Sequence, residues 1–82
     1  MGTGTAFQGE VIDATGLACP LPILALAKAA RQAPQGAVLM LLATDPAVEP
    51  DLDAWCQATG NELVALTREG KHWRALVRKV GL

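Results

Sequence analysis

The sequence predicts an α+β fold, a two-layer α/β sandwich in which two helices cover one face of a four-stranded mixed sheet. Segments with strand and helix character follow one another in the order βαβαββ. The chain has 82 residues, of which 51% are apolar but only 4% aromatic, so its core must be thin. The apolar content excludes a disordered chain, and a net charge of -1 argues against wholesale electrostatic binding of nucleic acid.

The N-terminal part of the chain contains a flexible segment and the first strand. Residues 1–9 are rich in Gly and Thr and are expected to be flexible, so that residues 10–82 form a single domain. The β-branched pair Val11-Ile12 indicates that this domain begins with a short strand over residues 10–13.

The next two elements are a helix and an apolar strand. Polar side chains recur at helical spacing after Cys19, with apolar residues opposite them, and Pro34-Gln35-Gly36 ends this helix. The uninterrupted apolar run 37–43 suits an inner strand that is covered on both faces. The amphipathic helix is therefore expected to pack against a sheet that contains this strand.

A second helix lies between Pro50, near its first position, and Gly60, which follows its last turn. Asp51 and Asp53 are expected in its first turn, where the helix dipole favours negative charge. The side chains of its inward stripe would be Leu52, Trp55, Cys56 and Thr59. Cys56 is therefore interpreted as a small core residue, with a second sulfur-handling thiol as the minority alternative.

Two strand-like segments, 61–68 and 73–80, are joined through residues 69–72 and predict a hairpin. Strand alternation places Arg74 and Arg78 on one face of the last strand. This basic face is a candidate docking surface for an acidic protein or for RNA. A solvated sheet surface explains the same charges equally well.

Neither a membrane span nor an export signal is expected. A bilayer-spanning helix needs about 20 continuous apolar residues, and prolines break the longest uncharged stretches here. The N-terminus lacks the basic residues and apolar run of a signal peptide, so a cytoplasmic protein is expected. Two cysteines are too few for a disulfide framework, and a reducing compartment would keep both as thiols.

The segment Cys19-Pro20-Leu21-Pro22 carries the strongest chemical signal. If Cys19 is the N-cap of the first helix, Pro20 and Pro22 occupy its first turn without losing an intrahelical hydrogen bond. The free N–H groups of Leu21 and Ile23 would then point toward the cap and stabilise a thiolate there. We therefore expect the pKa of Cys19 to be lowered and the residue to be a nucleophile near neutral pH.

The residue three positions after Cys19 is Pro22, where a Cys-x-x-Cys redox site has its resolving thiol. A sulfur atom placed on Cys19 would have no neighbouring thiol to expel it, which favours carrying sulfur over forming an internal disulfide. The alternative is that Cys19 is merely a small residue before a helix that begins with proline.

Other chemistry is weakly indicated. His72 is the single histidine and lies in the predicted hairpin turn, and no pair of residues has the spacing of a metal site. Asp13 could act as a base near Cys19, but an acidic neighbour would raise the pKa of a thiol, so a turn or capping role is favoured. We therefore expect no metal and no cofactor.

At this motif the sequence resembles the TusA/SirA-like sulfur-carrier family. The stretch from Gly16 to Pro22 matches that family's Gly-x-x-Cys-Pro-x-Pro signature. Further similarity lies at Asp45-Pro46, Trp55-Cys56, Asn61-Glu62-Leu63-Val64 and Leu76-Val77-Arg78-Lys79. The resemblance implies a βαβαββ sandwich in which Cys19 accepts a persulfide sulfur from a cysteine desulfurase or a rhodanese-type donor and passes it to an acceptor protein. The persulfide is then the only covalent intermediate, and a monomer is expected.

The sequence departs from the members of that family that serve tRNA thiolation. Those proteins typically carry Arg before the cysteine and Glu between the prolines, where this chain has Ala18 and Leu21. Helical spacing places Leu21 and Leu24 near the thiol on the polar side of the helix, where they could form an apolar docking patch. The pathway therefore stays open between tRNA thiolation, cofactor synthesis, selenium metabolism and sulfur oxidation.

Two functional hypotheses follow. In the first, the protein is a sulfurtransferase that carries sulfur on Cys19 between partner enzymes. In the second, it is a non-catalytic adaptor or a regulatory module in which Cys19 only senses oxidation. Gain of one sulfur atom in the presence of a donor enzyme distinguishes the two.

Overall fold

The computed structural model of the protein describes residues 9–81. Its elements are β1 (Glu10–Ala14), α1 (Leu21–Gln32), β2 (Val38–Ala43), α2 (Val48–Thr59), β3 (Glu62–Glu69) and β4 (His72–Arg78). This order confirms the predicted βαβαββ arrangement. The flexible segment expected over residues 1–9 lies, apart from Gly9, outside the described residues.

The four strands form one mixed sheet in the order β1-β2-β4-β3. β1 and β2 are parallel, as a crossover through α1 requires, whereas β4 is antiparallel to both of its neighbours. β3 and β4 are joined by a tight hairpin in which Gly70 has a φ of 62°, a left-handed conformation that glycine adopts without steric cost. A bulge interrupts the pairing of β3 between Leu63 and Ala65.

Both helices pack on the same face of this sheet. α1 contributes Leu26 and Ala30 to a single apolar core, and α2 contributes Leu52 to it. The strand side chains in this core come from alternate positions: Ala14, Leu39, Leu41, Ala43, Ala75 and Val77. This confirms the predicted two-layer sandwich.

The apolar run of β2 was expected to be covered on both faces, and this expectation is wrong. Leu39 and Leu41 are buried under the helices, but the alternate residues Met40 and Leu42 are only partly buried. The reason is that α1 and α2 lie on the same side of the sheet. The open face is apolar at its centre and carries Arg74 and Arg78 on β4, as alternation predicts.

Most element ends differ by one residue from those that the sequence predicts, and the start of α2 and the end of β4 differ by more. α2 begins at Val48, so Glu49 and Asp51 lie in its first turn while Asp53 lies beyond it. β4 ends at Arg78. The Lys79 N–H still donates to the Ala37 carbonyl, but the N–H groups of Val80 and Gly81 donate to the Asn61 side chain instead. Each helix has 12 residues, and no helix within residues 9–81 is long and apolar enough to cross a membrane.

Candidate functional site

Cys19 lies in the connection between β1 and α1, and its side chain is exposed. The connection begins with a turn in which the Asp13 carboxylate accepts hydrogen bonds from the N–H and the hydroxyl of Thr15, at 3.1 and 2.7 Å. These bonds lower the pKa of Asp13. Gly16 then adopts a φ of 83° and donates its N–H to the Thr44 hydroxyl at 2.9 Å. Asp13 therefore shapes the turn, as favoured from the sequence.

Two aspartates from a distant part of the chain bind Cys19. Its main-chain N–H donates to Asp45 Oδ2 at 2.8 Å, and its Sγ–H donates to Asp51 Oδ2 at 2.8 Å. Asp45 lies in the loop between β2 and α2, and Asp51 lies in the first turn of α2. The cysteine is therefore held through both its backbone and its thiol by one short segment.

The predicted helix cap is wrong. α1 begins at Leu21 with Pro20 as its N-cap, and Pro22 occupies its second position. The N–H of Leu21 donates to the Ala18 carbonyl at 2.8 Å, so it does not serve the thiol. The Cys19-Pro20 peptide bond is cis. Cys19 therefore lies just before the helix terminus and not at the cap.

The pKa of Cys19 is raised, contrary to the prediction from the sequence. The main cause is its hydrogen bond to Asp51, which favours the protonated thiol. Partial desolvation and the negative charges of Asp51 and Asp45 act in the same direction. The principle that an acidic neighbour raises a thiol pKa was correct, but the sequence suggested Asp13 as that neighbour.

Cys56 differs in position and surroundings. Its side chain is only 7% exposed and belongs to the apolar core between α2 and the sheet. The pKa of this thiol is also raised, mainly by burial and secondarily by the charge of Asp53. The interpretation of Cys56 as a core residue is confirmed.

The other predicted site residues lie in three different places. Leu21 and Leu24 are 48% and 57% exposed and lie on the first turn of α1, beside the Cys19 connection. Ile23 packs against the core. Arg74 and Arg78 lie on the open sheet face, and Arg78 is paired with Glu62 at 2.8 Å in an exposed salt bridge. Neither arginine is hydrogen bonded to Cys19.

The side chains of Cys19, Asp45 and Asp51 place three potential metal-ligand atoms within 4.8 Å of one another. The two hydrogen bonds to Cys19 already account for this proximity. Clusters of accessible acidic groups are common without an ion, so no metal is assigned to these residues.

Asp45 and Asp51 are the hydrogen-bond partners of Cys19 that the sequence did not reveal. Asp45 is 26 positions and Asp51 is 32 positions away from Cys19. A turn accounts for Asp45 and a helix start accounts for Asp51, so neither residue pointed to Cys19. The Asp45-Pro46 similarity was the only signal that pointed to this loop.

Comparison with known proteins gives a consistent result. The family model described as sulfurtransferase TusA matches residues 10–79. The sulfur carrier protein TusA of Allochromatium vinosum is 44% identical over 70 residues, which is 85% of this chain and 92% of that protein. Two further relatives are named as putative sulfur carriers. YrkF of Bacillus subtilis is 42% identical over 87% of this chain, which spans only 38% of YrkF, and a Neisseria meningitidis protein is 51% identical over 70% of this chain and 77% of its own length.

Proposed function

Because the chain belongs to the sulfurtransferase TusA family, we propose that it is a sulfur carrier that holds a transferable sulfur atom as a persulfide on Cys19. The observation that carries this proposal is the placement of the two thiols. Cys19 is exposed at the start of α1, where a partner protein can reach it, whereas Cys56 is enclosed in the core. A carrier needs one accessible sulfur, and Cys19 supplies it.

The transfer exchanges one sulfur–sulfur bond for another. Cys19 Sγ attacks the terminal sulfur of a donor persulfide, so that a bond forms between these two sulfurs and the donor's own sulfur–sulfur bond breaks. The donor leaves as a thiolate and takes up the proton that Cys19 loses. There is no net oxidation. A cysteine desulfurase or a rhodanese-type protein is the class of donor that presents such a persulfide, and an acceptor protein receives the sulfur in a second exchange.

The surroundings of Cys19 favour a carrier over an internal redox site. Discharge of a persulfide needs a nearby thiolate. Pro22 occupies the position of a resolving cysteine and is a buried residue of α1, and Cys56 lies in the core on α2. Discharge of the sulfur from Cys19 therefore requires a thiol from outside the chain.

The surface beside Cys19 suits contact with another protein. Leu17, Leu21 and Leu24 are 38%, 48% and 57% exposed in and just after the Cys19 connection. Three exposed leucines on the chain segment that carries an exposed thiol offer apolar area that a donor or acceptor would cover during transfer. Arg74 and Arg78 are on the open sheet face and are not part of this surface.

The test is the intact mass of the purified chain after incubation with a cysteine desulfurase and L-cysteine. The wild type should gain the mass of one sulfur atom, which a thiol reductant should remove. Cys19→Ser should gain none, and Cys56→Ala, the matched control, should load as the wild type does. If neither a desulfurase nor a rhodanese supplied with thiosulfate loads the wild type, the carrier function is wrong and the adaptor or redox module is favoured.

A further inference from the structure

The hydrogen bond from the Cys19 thiol to the Asp51 carboxylate defines where the sulfur lies in the free chain. Cys19 Sγ lies 2.8 Å from Asp51 Oδ2, and the main chain of the same cysteine is fixed by Asp45 at 2.8 Å. The backbone contact keeps the Cys19 main chain beside the start of α2, so the sulfur leaves the carboxylate only if one of the two side chains rotates. Yet its side chain is open to solvent.

We propose that Asp51 is a positioning residue that keeps Cys19 a neutral, weakly nucleophilic thiol in the free chain, and that contact with the sulfur donor replaces this hydrogen bond. The proposal rests on the carrier function proposed above. In this role Asp51 makes Cys19 selective for its donor. Although Cys19 is exposed, it reacts slowly with small electrophiles and acquires sulfur only in contact with the donor protein.

The charges around the thiol support this role. The charged groups that act on it are Asp51 from α2 and Asp45 from the loop before α2, and both are acidic. Residues 14–27, which include the Cys19 connection and the start of α1, contain no charged side chain at all. No cation on its own segment therefore offsets the two carboxylates. A thiolate formed here would face Asp51 without a shared proton, and like charges at this distance repel.

The alternative role for Asp51 is a general base that removes the thiol proton. Chemistry argues against it, because a carboxylic acid is about ten-thousandfold more acidic than a thiol. Proton transfer from sulfur to carboxylate is therefore strongly uphill. The two roles predict opposite effects when the carboxylate is removed: loss of a base slows Cys19, and loss of a restraint accelerates it.

The direct test is the pH profile of iodoacetamide labelling at Cys19, measured in a Cys56→Ala background where Cys19 is the single thiol. Asp51→Asn should move the midpoint of the profile to lower pH and increase the rate at pH 7 several-fold. Asp51→Ala should do the same, and Asp51→Glu, which keeps a carboxylate, should restore much of the original profile. Glu49→Gln removes one charge from the same helix turn without a contact to Cys19 and is the matched control.

An altered fold would not by itself move the midpoint in this pattern, and urea unfolding of each variant checks the fold. The proposal is overturned if the Asp51→Asn and Asp51→Ala midpoints stay in place, or if labelling at pH 7 becomes slower, as loss of a base predicts. An equal shift in Glu49→Gln would also overturn it, since a general charge effect would then suffice.

Loading by a cysteine desulfurase and L-cysteine tests the second half of the proposal. If donor contact already replaces the Asp51 hydrogen bond, the loading rate of Asp51→Asn should rise much less than its labelling rate. A proportional rise would show that the donor does not replace the contact. Labelling needs no donor, so a chain that never loads would refute the carrier function and leave the labelling result to decide the role of Asp51.

Discussion

The two cysteines have the same direction of pKa shift for different reasons. Cys19 is exposed and its pKa is raised by a hydrogen bond to Asp51, whereas Cys56 is buried and its pKa is raised mainly by loss of solvent. One contact with a partner can remove a hydrogen bond at the surface. Removing the effect of burial requires α2 to separate from the sheet. The cause of a pKa shift, and not its direction, therefore distinguishes a reactive thiol from a structural one.

The two cysteines should differ most in their rates of alkylation in the native protein. Iodoacetamide should label Cys19 about a hundredfold or more faster than Cys56, because reaching Cys56 requires local opening that costs at least about 3 kcal/mol. Peptide mass spectrometry after timed quenching gives both rates. In urea the two rates should converge, and equal rates in the native protein would contradict the assignment of Cys56 to the core.

Serine substitutions compare the two positions through stability. Cys56→Ser should lower the free energy of unfolding by about 1–2 kcal/mol, because it places a hydroxyl in an apolar stripe. Cys56→Ala, which leaves a small cavity and no polar group, should cost less than the serine variant. Cys19→Ser should leave the urea midpoint unchanged. A larger loss at Cys19 than at Cys56 would reverse the structural roles.

Alkaline pH should reveal the burial of Cys56. Its pKa is higher in the folded chain, so above the ordinary thiol value of about 8.5 the unfolded chain loses a proton that the folded chain keeps. Stability is therefore complete below that pH and falls as pH rises toward the folded-state pKa. Urea unfolding at pH 7 and pH 9.5 should show a smaller loss in Cys56→Ala than in the wild type. An identical loss in both proteins would mean that Cys56 ionises freely when folded.

The lifetime of the persulfide on Cys19 should not depend on Cys56. After loading and removal of the donor, the sulfur on Cys19 should have the same lifetime in the wild type and in Cys56→Ala, because the core thiol cannot reach it. Mass spectrometry without added thiol measures this lifetime. Faster loss in the wild type would identify Cys56 as a resolving thiol and the protein as a redox module.

Much of the fold was predictable because its signals are local. Alternation placed Arg74 and Arg78 on one face of β4, and helical spacing placed Cys56 in the core. Errors occurred where a distant segment intervened. Beyond β4, the N–H groups of Val80 and Gly81 donate to the Asn61 side chain, which no local pattern predicted. Met40 is only partly buried because both helices pack on the other face of the sheet.

By itself the sequence determined the order of the elements and the location of the exposed cysteine, since periodicity and prolines act within a few residues of the chain. It did not determine the state of that cysteine. Only the tertiary structure brings the start of α2 against the Cys19 connection and places Asp51 at the sulfur, 32 positions away along the chain. Hydrogen bonds and charge repulsion depend on distance in space. Together with partial desolvation they raise the pKa of Cys19, although the nearby helix N-terminus was expected to lower it.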